Sequence, residues 1–167
     1  MFLNAIADLS ARKLLMEGQT AYQYGDAKNA VEKLSMAISR ENEQIYPDTY
    51  LLSEIHNIRG EAYIAVRAVI NALTDFTISI VYQETNENAL NNLGVWYSLH
   101  AIAAPDFKKS LAYFDQALRL NPERKDILMN RAIVRIKSGN IMGYEDLKKL
   151  ELEKYEAATI ALMEYGE

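Results

Sequence analysis

The sequence contains no cysteine. It therefore cannot form a disulfide scaffold, a zinc site with cysteine ligands or a catalytic site built on a thiol nucleophile. A chain without thiols is compatible with the cytoplasm, and we expect the protein to be located there. The only two histidines, His56 and His100, lie in different parts of the chain. We expect them to be core or surface residues, and we expect no metal site.

Proline and glycine are scarce, with three and seven residues. Ala, Leu, Glu and Lys are abundant instead, and these residues favour helices. The chain has 167 residues, of which half are hydrophobic and a quarter are charged. We therefore expect one globular domain with room for a small appendage.

Positive charge and long apolar runs are also lacking. The formal net charge is -5, which argues against binding to a phosphate backbone. The best candidate for a membrane span, "AYIAVRAVINAL", is interrupted by Arg67 and Asn71, and a span needs roughly 18 apolar residues. We expect neither nucleic-acid binding nor membrane insertion.

Motifs of catalysis are missing as well. The sequence has no His-Glu-x-x-His metal motif, no Gly-x-Ser-x-Gly elbow, no phosphate loop and no dinucleotide fingerprint. Carboxylates that pair on a helix, such as Glu54 and Glu61, usually belong to a solvated surface. We expect no catalytic residue and no cofactor, and we do not expect an enzyme.

A pattern of small and large residues recurs along the chain. A glycine is followed 12, 16 and 19 residues later by a small, a large and a small residue. Two copies have this spacing: Gly18, Ala30, Leu34, Ala37 and Gly60, Ala72, Phe76, Ser79. The third copy has four residues inserted: Gly94, Ser110, Phe114, Ala117. A fourth copy has Ala132 at the glycine position.

Two antiparallel helices explain these offsets. The glycine of the first helix and the small residue early in the second let the two backbones approach closely where they cross. Such a hairpin cannot bury its apolar face alone, so neighbouring hairpins must stack. The pattern predicts an all-α protein, a right-handed solenoid of helical hairpins, with Gly94 and Ala117 buried at helix crossings.

The pattern resembles the tetratricopeptide repeat (TPR) family, through "NNLG" with "YFDQALRLNP" and through "EGQTAYQYGDAKNAVEKLSMAIS". Aligned in this way, residues 11–152 form four repeats that start at Ala11, Ser53, Glu87 and Lys125. Their spacings of 42, 34 and 38 residues, against a family period of about 34, indicate insertions around "IYPDTYLL" and "HAIA". The fourth repeat fits only with a one-residue slip that puts Gly143 in a small position.

The same alignment predicts the helices. First helices are expected at 11–24, 48–67, 86–102 and 124–138, and second helices at 27–41, 69–83, 106–120 and 142–151. Pro47 and Pro105 are expected in the first turn of their helices. The eight-residue insertion should lengthen the helix that begins near Asp48. The N-terminal extension, residues 1–10, either continues the first helix backwards or folds over its open end.

The last segment, residues 153–167, is expected to be a capping helix on the fourth repeat. Tyr155, Ala158, Leu162 and Tyr165 fall along one side of a helix over 154–165, with Thr159 at its edge. The alternative is the first helix of a truncated fifth repeat that docks on another copy. A monomer or a weak dimer is therefore expected.

The resemblance implies a binding groove lined by the first helices. Carried over by position, the candidate groove residues are Arg12, Gln19, Tyr22, Glu54, Asn57, Glu61, Asn88, Asn91 and Val95. The amides of Asn57 and Asn91 are expected to be exposed, where each can donate to and accept from a partner backbone. Met129, Ile133 and Ile136 either form an apolar pocket beside them or pack on the capping helix.

The implied function is a non-catalytic adaptor or assembly factor that binds a peptide or partner segment. Some TPR proteins bind acidic chaperone tails through a clamp of basic residues, but the corresponding positions here hold Leu15, Gln19, Asn88 and Asn92. The groove is mixed to acidic, which favours a neutral or basic partner with apolar anchors. A small chaperone of secretion substrates and a regulatory subunit of an enzyme complex remain as alternatives.

Overall fold

The computed structural model describes residues 2–101 and 104–165, with side chains from residue 10 onward. These residues form nine α-helices and contain no β-strand. The helices are α1 (Phe2–Gln23), α2 (Ala27–Asn42), α3 (Thr49–Ala65), α4 (Val69–Tyr82), α5 (Glu87–Leu99), α6 (Phe107–Leu120), α7 (Lys125–Lys137), α8 (Met142–Leu152) and α9 (Glu156–Tyr165). The chain divides after Ala89 into two compact units, the N-terminal unit and the C-terminal unit.

The predicted helices are confirmed, and their ends differ by at most three residues, with one exception. That exception is α1, which begins at Phe2 and so includes most of the segment expected as a separate extension. From Phe2 onward this segment continues the first helix rather than folding over it. The predicted end of the third first helix, at 102, lies outside the described residues.

Aspartate side chains start three of the helices. The carboxylates of Asp26, Asp48 and Asp106 accept hydrogen bonds from the backbone N–H three residues later, at 3.0–3.2 Å. Each therefore satisfies a backbone donor that the helix itself leaves unpaired. The placement of Pro47 and Pro105 in a first helical turn was wrong. Each proline immediately precedes the capping aspartate. The aspartate side chain is the group that accepts the hydrogen bond from the first turn of the helix.

The N-terminal unit consists of two hairpins, α1–α2 and α3–α4, with α3 packed on both α1 and α2. A β-carbon on Gly18 would lie 2.6 Å from Cγ of Leu34, and one on Gly60 would lie 2.5 Å from the ring of Phe76. The predicted crossings therefore exist, and both glycines are needed for the close approach. The surrounding core is apolar and consists of Ala11, Leu15, Ala30, Leu34, Ala37, Leu51, Ile55 and Ala62.

The C-terminal unit contains the hairpin α5–α6, with α5 from Leu90 onward, and the hairpin α7–α8. Gly94 and Ala117 are buried, as predicted, and a β-carbon on Gly94 would lie 2.5 Å from the ring of Phe114. In α7–α8 the glycine lies on the second helix instead of the first. Ala132 lies on the first helix and Gly143 on the second, where a β-carbon would meet the carbonyl oxygen of Ala132 at 2.4 Å. The one-residue slip that brings Gly143 to the crossing is thus confirmed.

The segment expected to cap the fourth repeat contains one helix, α9. Helix α9 packs on α7 and α8. Its Ala158 and Ala161 are buried, and Tyr155, Leu162 and Tyr165 pack against the same core. Of the two possibilities for Met129, Ile133 and Ile136, packing in this core is the one observed.

The eight-residue insertion lies between α2 and α3. It lengthens α3 to 17 residues, compared with 13 in α5 and α7, as expected. The buried carboxylate of Glu41 accepts the Asp48 N–H at 2.7 Å, and Arg12 donates to the Asp48 carboxylate at 2.9 Å. The segment is therefore tied to both α1 and α2. Part of the four-residue insertion, at 102 and 103, lies outside the described residues.

Candidate functional site

The candidate groove residues of the N-terminal unit lie on α1 and α3. Arg12 is exposed, whereas Gln19, Tyr22, Glu54 and Glu61 are half-buried. Glu54 and Glu61 are seven residues apart on α3, so both carboxylates lie on one face of that helix. Arg12 is ion-paired with Asp48, which begins α3.

Tyr22, Asn57 and Glu61 form a cluster that joins α1 to α3. The amide nitrogen of Asn57 donates to Oε1 of Glu61 at 3.1 Å. Burial raises the pKa of the Tyr22 hydroxyl, and the nearby Glu61 carboxylate raises it further. The anion of Glu61 therefore lies close enough to Tyr22 to disfavour a second negative charge there.

The expected exposure of Asn57 was wrong. Its side chain is only 4% exposed, and its amide is used inside the chain, on Glu61. The helical face was predicted from position alone, and a position on a single helix does not show which neighbouring elements cover that face. The carboxylates of Glu54 and Glu61 remain partly accessible on this face of α3. Asn57 holds that of Glu61.

In the C-terminal unit, Asn91 and Val95 are both half-buried on α5. The side-chain oxygen of Asn91 accepts from the amide of Asn130 on α7 at 3.0 Å, so the two first helices of this unit are linked by an amide pair. Sequence reasoning missed Asn130, because the alignment assigned the groove position to its neighbour Met129. Asn88, the remaining candidate, is exposed on the first turn of α5, which still belongs to the N-terminal unit.

A buried polar network in α3–α4 was also missed. Nδ1 of His56 lies 2.8 Å from the carboxylate of Asp75, and the Arg59 guanidinium donates to the same carboxylate at 2.7 and 2.8 Å. Arg59 also donates to the hydroxyl of Ser35 on α2 at 3.0 Å. One signal was present in the sequence: Asp75 is the only charged residue of α4.

Charge balance explains why Asp75 is tolerated at 2% exposure. Burial alone would raise the pKa of the Asp75 carboxyl, but the hydrogen bonds and charges of Arg59 and His56 outweigh it and lower the pKa. The partnership with Asp75 likewise raises the pKa of Arg59 against the opposing effect of burial. These groups are structural, since they satisfy one another beneath the surface.

Two other kinds of site are absent from the described part of the chain. Among the side chains of residues 10–101 and 104–165, no three His, Asp or Glu come together as a possible metal-binding group. None of the helices in residues 2–101 and 104–165 is both long and apolar enough to cross a membrane.

Comparison with sequences and with solved structures gives different results. No protein-family model matches the sequence, and no curated protein is significantly similar. Among solved structures, MamA has a TM-score of 0.70 at 19% identity, with 88% of this chain and 80% of that chain covered. The TPR domain of Arabidopsis OM64 has a TM-score of 0.64 at 19% identity, covering 77% of this chain and 97% of that one.

A third structure, a tetratricopeptide repeat protein from Parabacteroides merdae, has a TM-score of 0.70 at 23% identity. The alignment covers 89% of this chain and 54% of that chain. Identities this low establish the fold and nothing more specific. Together with the glycine crossings and the stacked hairpins, they show that this chain has the fold of the tetratricopeptide repeat proteins.

Proposed function

We propose that the protein is a non-catalytic interaction module that binds a peptide or an extended partner segment on the faces of its first helices. The observation that carries this proposal is the pair of carboxylates on α3, one of which lies near Tyr22 of α1. There Glu54 and Glu61 are partly accessible, and Asn57 holds Glu61 in place. A carboxylate held by a buried amide is preorganised for a cation or an N–H donor.

The chemistry of this face favours a neutral or basic segment with apolar anchors. Arg12, the cation among the candidate residues, is already paired with Asp48. The half-buried ring of Tyr22 offers an apolar surface beside the Glu61 carboxylate. A Lys or Arg of the partner placed there would be drawn to the carboxylate and to the ring face. The absence of cysteine fits a reducing compartment, so we propose that binding takes place in the cytoplasm.

The test uses the whole chain as bait, in wild-type form and as a Glu54→Gln/Glu61→Gln variant. Glutamine keeps the side-chain shape and can still accept from Asn57, so the fold is preserved while two charges are removed. Glu32→Gln/Glu43→Gln is the matched control, because both of these glutamates are exposed and lie outside α1 and α3. Partners are captured from the native lysate, identified by mass spectrometry and titrated in purified form.

We expect the Glu54→Gln/Glu61→Gln variant to bind the identified partner about tenfold more weakly than wild type. The control variant should bind like wild type. The loss should be smaller at high salt, because the interaction is electrostatic. Equal affinity of the two variants would show that this face is not the binding site. The identity of the partner then separates an adaptor from a secretion chaperone or an enzyme regulator.

A further inference from the structure

A second surface lies at the end of the C-terminal unit, in the groove between α8 and α9. We call it the end groove. Its volume is about 790 Å³. It is lined by Ile141, Met142, Tyr144, Glu145, Lys148, Glu151, Thr159, Leu162 and Met163.

The apolar side chains of the end groove are unusually open to solvent. Ile141 is 74% exposed, Met142 55% and Met163 80%. Single exposed apolar residues are common, but several that line one concave surface are typical of an interaction site. Methionine is also well suited to such a surface, since its unbranched side chain adapts to different partners.

The repeat architecture indicates what fits there. Helix α9 packs on both members of the preceding hairpin, α7 and α8, as α3 packs on α1 and α2. Helix α3 is followed by α4, and Arg59 donates both to Ser35 of α2 and to Asp75 of α4. A second helix therefore packs on its own first helix, on the side where Arg59 also reaches the preceding second helix. The corresponding place for α9 is the groove between α8 and α9, and no helix of the described residues fills it.

The distance between α9 and a helix bound in the end groove would differ from the distance between the two helices of a complete hairpin. Where α3 presents Gly60 to the Phe76 ring, α9 presents Thr159 and Leu162 to the groove. A helix bound there would lie farther out, with its own large side chains filling the remaining space. The groove is thus shaped for an amphipathic helix rather than for a flat surface.

The charges of the lining residues indicate which kind of helix the end groove binds. The polar lining residues are Glu145, Lys148 and Glu151, which are exposed, and Thr159, which is half-buried. Two carboxylates against one ammonium favour basic side chains along the flanks of the bound helix. Two copies of the chain that met groove to groove would instead bring their carboxylates together, which disfavours a symmetric dimer.

We propose that the end groove binds an amphipathic helix of a partner protein, with an apolar stripe over Met142, Leu162 and Met163 and basic side chains toward Glu145 and Glu151. The bound helix completes the half repeat that α9 begins. This surface lies in the C-terminal unit and is independent of the face of α1 and α3.

The probe is a synthetic peptide with the sequence of α6, FKKSLAYFDQALRL, with a fluorescent label at its N-terminus and an amide at its C-terminus. It suits the test because α6 is itself a second helix, with an apolar stripe that includes Phe114 and with the basic residues Lys108, Lys109 and Arg119. Its binding to the full chain is measured by fluorescence anisotropy.

Two substitutions in one helix provide a matched comparison. Met163→Glu places a carboxylate in the end groove, whereas Ile160→Glu places one on α9 outside it, at a residue that is 66% exposed. Both positions are solvent-accessible, so both variants should fold and melt like wild type. A third variant, Glu145→Gln/Glu151→Gln, removes the carboxylates that select a basic helix.

We expect wild type and Ile160→Glu to bind the peptide equally, and Met163→Glu to bind at least about tenfold more weakly. Glu145→Gln/Glu151→Gln should bind a few-fold more weakly, and this difference should vanish at high salt. Absence of saturable binding to wild type, or equal binding by Met163→Glu and Ile160→Glu, overturns the proposal. Self-association in sedimentation that Met163→Glu abolishes and Ile160→Glu retains also overturns it, because the occupant is then a second copy.

Discussion

The hairpin α3–α4 and the three helices α7–α9 are held together by different chemistry. In α3–α4, the carboxylate of Asp75 is buried between His56 and Arg59. In α7–α9, the buried cluster is apolar, with Ala132, Leu147, Leu150, Ala158 and Ala161 at its centre. The same repeat therefore tolerates two kinds of core, provided that small residues remain at the crossing and buried polar groups satisfy one another.

A second polar network lies nearby in the same hairpin. The hydroxyls of Ser53 and Ser79 are 3.0 Å apart, and each also donates to the backbone carbonyl of the other residue. The amide of Asn86 donates to both hydroxyls. Such networks are directional, so they fix the angle and register of α4 on α3 more tightly than apolar contacts do. The apolar core of α7–α9 is less directional, and its stability depends on buried area.

Removal of α9 tests the apolar region. A chain that ends at Glu153 loses Ala158 and Ala161 from the core and exposes Ile133 and Ile136. We expect a loss of about 4–6 kcal/mol in the free energy of unfolding, or aggregation through the exposed patch. Urea denaturation followed by circular dichroism measures the change. A truncated chain as stable as wild type would show that α9 is not part of this core.

Asp75→Ala tests the polar region. The substitution leaves the largely buried Arg59 guanidinium, 17% exposed, without its carboxylate, and we expect a loss of about 3 kcal/mol in the free energy of unfolding. Asp115→Ala is the control, because Asp115 pairs with Arg131 at 2.9 Å but is 48% exposed in its side chain. That change should cost at most about 1 kcal/mol. Similar losses in urea melts of the two variants would contradict the buried character of the first pair.

Low pH should remove the stabilisation that the ionised Asp75 carboxylate gives to wild type. The pKa of Asp75 is lowered in the fold, so its stabilisation is present above the unfolded pKa of about 3.9 and is lost as the pH falls through the folded value. The stabilities of wild type and Asp75→Asn should therefore converge below about pH 4. A difference that stays constant down to pH 2 would show that the Asp75 charge does not stabilise the fold.

Helix crossings in the N-terminal and C-terminal units also differ in how rigid their surroundings are. Gly143→Ala would place a β-carbon against the backbone oxygen of Ala132, which cannot move without shifting α7. Gly18→Ala would meet the side chain of Leu34, which can partly yield. We expect losses of about 2–3 kcal/mol at Gly143 and about 1 kcal/mol at Gly18 in thermal melts. The reverse order would mean that the backbones of α7 and α8 separate easily.

The sequence predicted the fold well because small residues at crossings leave a fixed spacing. Gly18, Gly60 and Gly94 recur at equivalent places, and even the slip at Gly143 was visible as an irregularity of that spacing. The starts of α3 and α6 were misplaced slightly, since Pro and Asp both favour a helix start and only the aspartate side chain can cap it.

The candidate site was less predictable. Asn57 occupies the expected helical position, but whether it faces solvent depends on how neighbouring elements pack against α3, which no spacing within one helix reveals. The network around Asp75 was missed for the same reason, because His56, Arg59 and Asp75 are joined across two helices. A lone charged residue in an apolar helix is the signal that such a network exists, but it does not identify the partners.

The smallest effect is expected at the turns, where the two units can be compared residue by residue. Fourteen residues after three of the four predicted repeat starts, the chain turns with a positive φ: Gly25 has 82°, Gly139 has 82° and Arg67 has 62°. Arg67 therefore occupies a left-handed conformation that favours glycine. A side chain there costs about 1–2 kcal/mol, whereas glycine costs roughly 0.5–1 kcal/mol in lost freedom of the unfolded chain.

Arg67→Gly should therefore stabilise the protein slightly, by about 0.5 kcal/mol, and raise the melting temperature by one to two degrees. The reciprocal change, Gly25→Ala, should destabilise it by about 1 kcal/mol. A β-carbon at Gly25 would meet no atom within 4 Å, so backbone strain alone would account for that loss. Differential scanning calorimetry of the two variants separates backbone strain from packing. If Arg67→Gly is destabilising, then the arginine side chain contributes more at this turn than its conformation costs, and the three turns are not equivalent.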